Sequence, residues 1–150
     1  MNIRNLLVPV DYCRNSEAAM AYAVSLAREH STEIHLVHVY EPTFAYVDEG
    51  AGVVPLPVVP PADLNEARAR LERIKPTEDV KFRREFLVGS PVNELVDYAN
   101  KNAIDLIVMG THGRTGLSRL LMGSVAEGVM RRSGCPVLTV RQPVESLQDA

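Results

Sequence analysis

The chain has no tryptophan, two cysteines in 150 residues and only 5% aromatic side chains. Cys13 and Cys135 are too few and too far apart for a disulfide framework or a zinc set, and they read as free thiols of a reducing cytoplasm. No apolar run approaches the roughly 20 residues of a membrane span, so no membrane is expected as a partner. The opening MNIRNLLVPVD turns polar too soon for a signal peptide. A net charge of −3 gives no global drive toward nucleic acid. No segment repeats at a fixed period. Two general phosphate motifs are missing as well, the P-loop G-x-x-x-x-G-K-[ST] and the dinucleotide fingerprint G-x-G-x-x-G.

What is present is ordinary for a globular protein: 46% hydrophobic and 23% charged residues. This length fits a single domain spanning 1–150, with a Pro-rich segment at 41–61 and a polar tail at 142–150. Charge is spread unevenly. Between residues 114 and 141 lie Arg114, Arg119, Arg131, Arg132 and Arg141 against the single acid Glu127. A cationic segment in an acidic chain suits a small anionic ligand, although Arg131 and Arg132 equally suit a helix C-terminus.

Strands and helices alternate along the chain. Ile3 to Val10 reads as a first strand that ends near Pro9, which cannot donate to a ladder. Asn15 or Ser16 is placed to cap a helix reaching Glu29, with Ala19, Ala23, Leu26 and Ala27 as its apolar stripe. Glu33 to Tyr40 is a second strand, in which His35 and His38 face opposite sides. In 41–61, prolines at 42, 55, 57, 60 and 61 and glycines at 50 and 52 argue against regular structure. The segment is also apolar, as a lid or contact surface would be. Asp63 and Glu66 make a capping box for a helix from Leu64 to Lys75. Val80 to Val88 alternates with charges, as an edge strand does. Ser90 and Pro91 open another helix. Ile104 to Met109 is an apolar run suited to a strand buried on both faces. A helix after Ser124 ends at Gly134, and Pro136 to Arg141 is the last strand. The order β-α-β-α-β-α-β-α-β implies an α/β fold: an open three-layer sandwich around a five-stranded parallel sheet. In the order 3-2-1-4-5 the reversal lies between the first and fourth strands, which makes Asp11 and Gly110 neighbours at one crevice.

The stretch IDLIVMGTHGRTGLSRLLMGS, Ile104 to Ser124, is the centre of the reading. A buried strand runs into glycines at 110, 113, 116 and 123 and then into a helix start, where free N–H groups favour a phosphate. Ser124 with Glu127 matches a capping box, which needs no ligand. Asp11 equally fits a turn or cap at the end of its strand.

Gly110-Thr111-His112-Gly113, nine residues, and then Gly123-Ser124 form G-x2-G-x9-G-[ST]. This pattern resembles the ATP-binding branch of the universal stress protein family. The resemblance also takes in LLVPVD, HLVHVY, DLIVMGTHGR and LLMGSVAEGVMRRSGCPVLTVR. It implies an adenine nucleotide alpha hydrolase-like fold. By motif position, Pro9, Val10, Asp11 and Val39 would line the adenine and ribose, and Met109 and Gly110 would lie against the same side. Gly113 and Arg114 would meet the phosphates, and Gly123, Ser124 and Val125 would bind phosphate through N–H groups and the Ser124 hydroxyl. ATP or another adenine nucleotide would bring Mg2+ held through the phosphates, with no side-chain ligands assigned. The family typically forms homodimers through the last strand, here Pro136 to Arg141.

Three functions follow. The first is a regulatory protein of the stress response that holds ATP. The second is a slow ATPase or phosphotransferase, for which His112 is the one candidate base. The third is a dimeric adaptor with an unidentified protein partner on the 41–61 segment.

Overall fold

The computed structural model describes residues 1–12, 14–111 and 122–141. The elements are β1 (Asn5–Pro9), α1 (Arg14–His30), β2 (Glu33–Tyr40), β3 (Thr43–Asp48), β4 (Val53–Val58), α2 (Pro61–Arg73), β5 (Phe82–Val88), α3 (Pro91–Lys101), β6 (Leu106–Gly110), α4 (Ser124–Arg132) and β7 (Val137–Val140). The five-stranded sheet runs β5-β2-β1-β6-β7 with every pair parallel. This is the expected 3-2-1-4-5 order, and its reversal falls between β1 and β6.

Two apolar layers hold the sheet. On one face Ala19, Ala23, Val24 and Ala27 of α1 pack on Leu6, Val8, Ile34, Leu36 and Val108. The small alanines let α1 lie close to the strands. On the other face Leu95, Tyr98 and Ala99 of α3, with Ala126 and Val129 of α4, cover Leu7, Val37, Ile107 and Met109. Alternation along each strand sends successive side chains to opposite layers. His35 accordingly turns to Tyr98 of α3, with Nδ1 2.9 Å from its hydroxyl, while His38 turns to the α1 face. Asp105 closes the lower end of the sheet, its Oδ2 accepting from the Arg4 and Asn5 N–H groups at 2.8 and 3.0 Å.

The 41–61 segment is regular, contrary to the sequence reading. β3 and β4 form an antiparallel hairpin in which Phe44 opposes Pro57 and Tyr46 opposes Pro55. The Glu49 N–H donates to the Gly52 carbonyl at 3.2 Å, which makes 49/52 a hydrogen-bonded pair. Alternation then puts 48/53, 46/55 and 44/57 at non-hydrogen-bonded positions. Both prolines therefore present their missing N–H to the outer edge, and the ladder loses nothing.

The helix starts also need correction. α1 already includes Asn15 and Ser16. α2 is capped by Pro60, not by an Asp63–Glu66 box, and Asp63 instead lies in the first turn, where its charge suits the helix dipole. Ser90 is the N-cap of α3 but makes no side-chain cap bond. Gly123, with extended φ −60° and ψ 151°, is the N-cap of α4, so Ser124 is its first helical residue and not the cap. α4 ends at Arg132 with Ser133 as C-cap, before Gly134.

Candidate functional site

β1 leaves the sheet at Pro9 and turns into α1 through Asp11 and Tyr12. Tyr12 takes φ 65°, a left-handed conformation that costs a residue with a Cβ about 1–2 kcal/mol. Several bonds hold this turn. The Val10 N–H donates to the Val37 carbonyl at 2.8 Å, and the Tyr12 hydroxyl donates to the Ala67 carbonyl at 3.0 Å. His38 Nδ1 lies 2.6 Å from the Val10 carbonyl oxygen, and because a carbonyl only accepts, Nδ1 carries the proton. The Tyr12 ring rests on His38 with centroids 4.6 Å apart. The backbone that presents Asp11 is thus fixed from β2 and from α2.

The opposite wall comes from the end of β6 and the start of α4. The Gly123 N–H donates to the Thr111 carbonyl at 2.6 Å, and the Thr111 N–H donates to the Val140 carbonyl at 3.1 Å. In α4 the first helical bond of the usual span runs from the Glu127 N–H to the Gly123 carbonyl, 3.0 Å. The N–H groups of Ser124, Val125 and Ala126 therefore precede the helical ladder and have no acceptor within it. No side chain among the described residues caps this end.

Between these walls is a cavity of about 540 Å³. Nine residues singled out from the sequence line it: Pro9, Val10, Asp11, Val39, Met109, Gly110, Gly123, Ser124 and Val125. Two others, Gly113 and Arg114, lie outside the described residues, as do His112 and the polar tail. The crevice sits past the carboxyl ends of the parallel strands at the switch point, where open α/β sheets take ligands. Its volume is within the about 300–1,000 Å³ usual for small-molecule sites. One end offers N–H groups without an acceptor among the described residues, at the positive pole of a helix, and the rest is mainly apolar strand-end side chain.

Sequence reasoning missed several lining residues: Ser16, His38, Glu41, Thr111, Pro91 and Leu95. Glu41 and Thr111 directly follow strand ends, and the rule that found Asp11 points to them too. Pro91 and Leu95 reach the crevice only through the packing of α3 on the sheet, which no local signal announces. Asp11 and Glu41 supply the lining carboxylates, but among the described residues no cluster of three or more His, Cys, Asp or Glu side chains could hold a metal by itself.

This is an open α/β domain whose crevice, at the sheet's switch point, joins an apolar wall to a helix start. The model of the universal stress protein family matches residues 2–141, and the chain belongs to that family. Universal stress protein MJ0531 of Methanocaldococcus jannaschii is 35% identical over 142 residues, covering 93% of this chain and 83% of that protein. Among solved structures, that of the hypothetical protein MJ0577, from the same organism, aligns with TM-score 0.74 at 25% identity, covering 95% of this chain and 99% of that one. A universal stress protein of Archaeoglobus fulgidus solved in complex with dAMP aligns with TM-score 0.67 at 24% identity, covering 93% and 98% of the two chains. No helix among the described residues is long and apolar enough to cross a membrane.

Proposed function

We propose that the chain is a regulatory protein that binds ATP, or a related adenine nucleotide, in the crevice between β1, β2, β6 and α4. The observation that carries this reading is the convergence of Asp11, Val39, Gly110 and Ser124 from four segments onto one cavity. Adenine has an apolar face suited to Val39 and Met109, and ribose hydroxyls are suited to the Asp11 carboxylate. The phosphates then extend to the Ser124 and Val125 N–H groups. Gly123 at the N-cap leaves room for phosphate against the backbone, and the G-x2-G-x9-G-[ST] spacing would bring Gly113 and Arg114 to the same end. The dAMP complex belongs to a protein of the same fold, so this ligand class is one the fold accommodates. Mg2+ would accompany a triphosphate, held through its oxygens.

The regulatory reading is preferred to an ATPase or phosphotransferase because hydrolysis needs a group that orients water at the γ-phosphate. The carboxylates of the described cavity lining are Asp11 and Glu41, next to the strand ends assigned to the nucleoside, and its one imidazole is His38, whose Nδ1 proton is committed to Val10. The place of action is the cytoplasm. A homodimer through Pro136 to Arg141 fits the position of β7 at the sheet edge, where Leu138 is exposed. An edge strand left unpaired is a site for association, and pairing removes it.

One observation favours an added adaptor role. Phe44, Tyr46, Val47, Val53, Val54, Leu56 and Val58 of the hairpin are all exposed. An isolated two-stranded hairpin is marginally stable in water, and an apolar one gains from a protein partner. Calorimetric titration with ATP and Mg2+, comparing wild type with Gly123→Val, tests the nucleotide site.

A further inference from the structure

A second cavity, of about 580 Å³, borders the first. It shares Val10 and Ser16 with the nucleotide crevice and otherwise runs between α1 and the end of α2. Its composition is different. Met20 and Ile74 give it an apolar lining, and Arg70, Arg73 and Lys75 stand against the single acid Glu17.

None of the three cations enters an ion pair among the described residues, unlike two arginines nearby. Nearby, Arg28 pairs with Glu78 at 2.8 Å and Arg84 with Glu72 at 3.9 Å. The Arg70 guanidinium lies over the Tyr12 ring, 4.2 Å from its centroid, as Arg68 lies over Phe86 and Arg84 over Phe82. That ring is itself fixed by the hydroxyl bond to the Ala67 carbonyl, so Arg70 and Tyr12 make a set wall. Arg73 spends Nε on the Ala69 carbonyl at 3.2 Å, and its two terminal nitrogens have no acceptor among the described residues. Lys75 enters no ion pair among the described residues. The helix dipole accounts for Arg70 and Arg73 in the last turn of α2. It does not account for Lys75, beyond the C-cap Ile74, nor for the apolar cavity that all three border.

We propose that this cleft is a second ligand site, for a small organic anion with an apolar body. The body would lie on Met20 and Ile74, and the anionic head would bridge Arg73 and Lys75. Carboxylate and phosphate heads share the chemistry that an arginine fork and a lysine recognise. The site stands independently of the nucleotide reading, although the shared Val10 and Ser16 place the two ligands side by side.

Octanoate and octyl phosphate are the probes, with octanamide as the uncharged control. Binding is followed by calorimetry and by the NMR signals of the Met20 methyl and the Tyr12 ring. At least one anion is expected to saturate and to shift both signals, and octanamide at the same concentrations is not. The exposed pair Arg73→Gln/Lys75→Gln should weaken that anion by about tenfold. The Gly123→Val protein should still bind it, which separates this proposal from the nucleotide site. Comparison of the two anions shows which head is preferred. Absence of binding by both, equal binding of octanamide, an unchanged affinity in the double variant, or shifts confined to residues around Gly123 would each overturn the proposal.

Discussion

Gly110 lies so close to Asn15 that a Cβ on the glycine would stand 2.6 Å from the Asn15 Cβ and 2.9 Å from its carbonyl carbon. The end of β6 and the first turn of α1 thus meet backbone to backbone, and this contact brings two halves of the crevice together. Gly110 therefore has a packing role that holds whether or not a ligand is present.

Gly110→Ala is the first prediction. The added methyl must push the α1 start outward, since its nearest neighbours include backbone. Overpacking of this kind costs about 1–3 kcal/mol. Urea denaturation should show that loss, and ATP affinity should fall with it, because Ser16 and Gly110 line the same cavity. A variant as stable as wild type would show that the contact relaxes without cost.

Asp11→Ala separates the nucleoside end from the phosphate end. If the carboxylate accepts from ribose or adenine, loss of one charged hydrogen bond weakens ATP and plain adenosine by the same factor, about tenfold. Calorimetry with both ligands reads this. A drop for ATP with none for adenosine would move Asp11 to the phosphate or metal end.

The fold was legible where periodicity and topology speak alike. Alternating strands and helices imply a five-stranded parallel sheet, and in the order 3-2-1-4-5, which the structure has, the switch point makes Asp11 and Gly110 neighbours. The hairpin was not legible because proline was read as a breaker without its register. Only the pairing shows that Pro55 and Pro57 both face outward. The α4 start was displaced by one residue because Ser124 and Glu127 satisfy a capping pattern that Gly123, in an extended conformation, makes unnecessary. His38 of β2 and Leu95 of α3 entered the site through packing across layers, which a linear pattern does not encode.

The third prediction concerns pH. His35 is buried, and burial holds its imidazole below the ordinary range, with the Arg83 charge acting in the same direction and Glu33 opposing. Its Nε2 has no hydrogen-bond partner among the described residues. The unfolded chain therefore takes up the proton first as pH falls. Stability is constant well above about pH 6.5 and declines below it, by at most about 1.4 kcal/mol per pH unit for this one group. Glu33, held below its usual range by its bond to Arg83, adds a separate loss only at more acid pH, below the ordinary carboxylate range. Urea melts from pH 8 to 5, run with the His35→Leu/Tyr98→Phe pair, check this. The paired substitution removes the titrating ring and the hydroxyl bonded to it, so its slope between pH 7 and 5 should be flatter. An equal slope in both proteins would assign the dependence to other groups.

The fourth prediction concerns the hairpin. β3 and β4 pair with each other and pack little against any other element. Replacing 43–58 by a short Gly-Ser linker should therefore leave thermal stability and ATP affinity unchanged while abolishing capture of any protein that docks on Phe44 and Tyr46. Loss of ATP affinity in this variant would make the hairpin a lid over the crevice.

The central claim is that the helix start at Gly123 receives the phosphates of an adenine nucleotide. Gly123 has a φ and ψ that valine also adopts, so Gly123→Val tests space for ligand without forcing the backbone. The decisive measurement is calorimetric titration of both proteins with ATP and Mg2+, alongside a thermal melt of each. The account predicts saturable binding near one ATP per chain in wild type and none in the folded variant. Equal affinity in the two proteins, or no saturable binding by wild type, would contradict it.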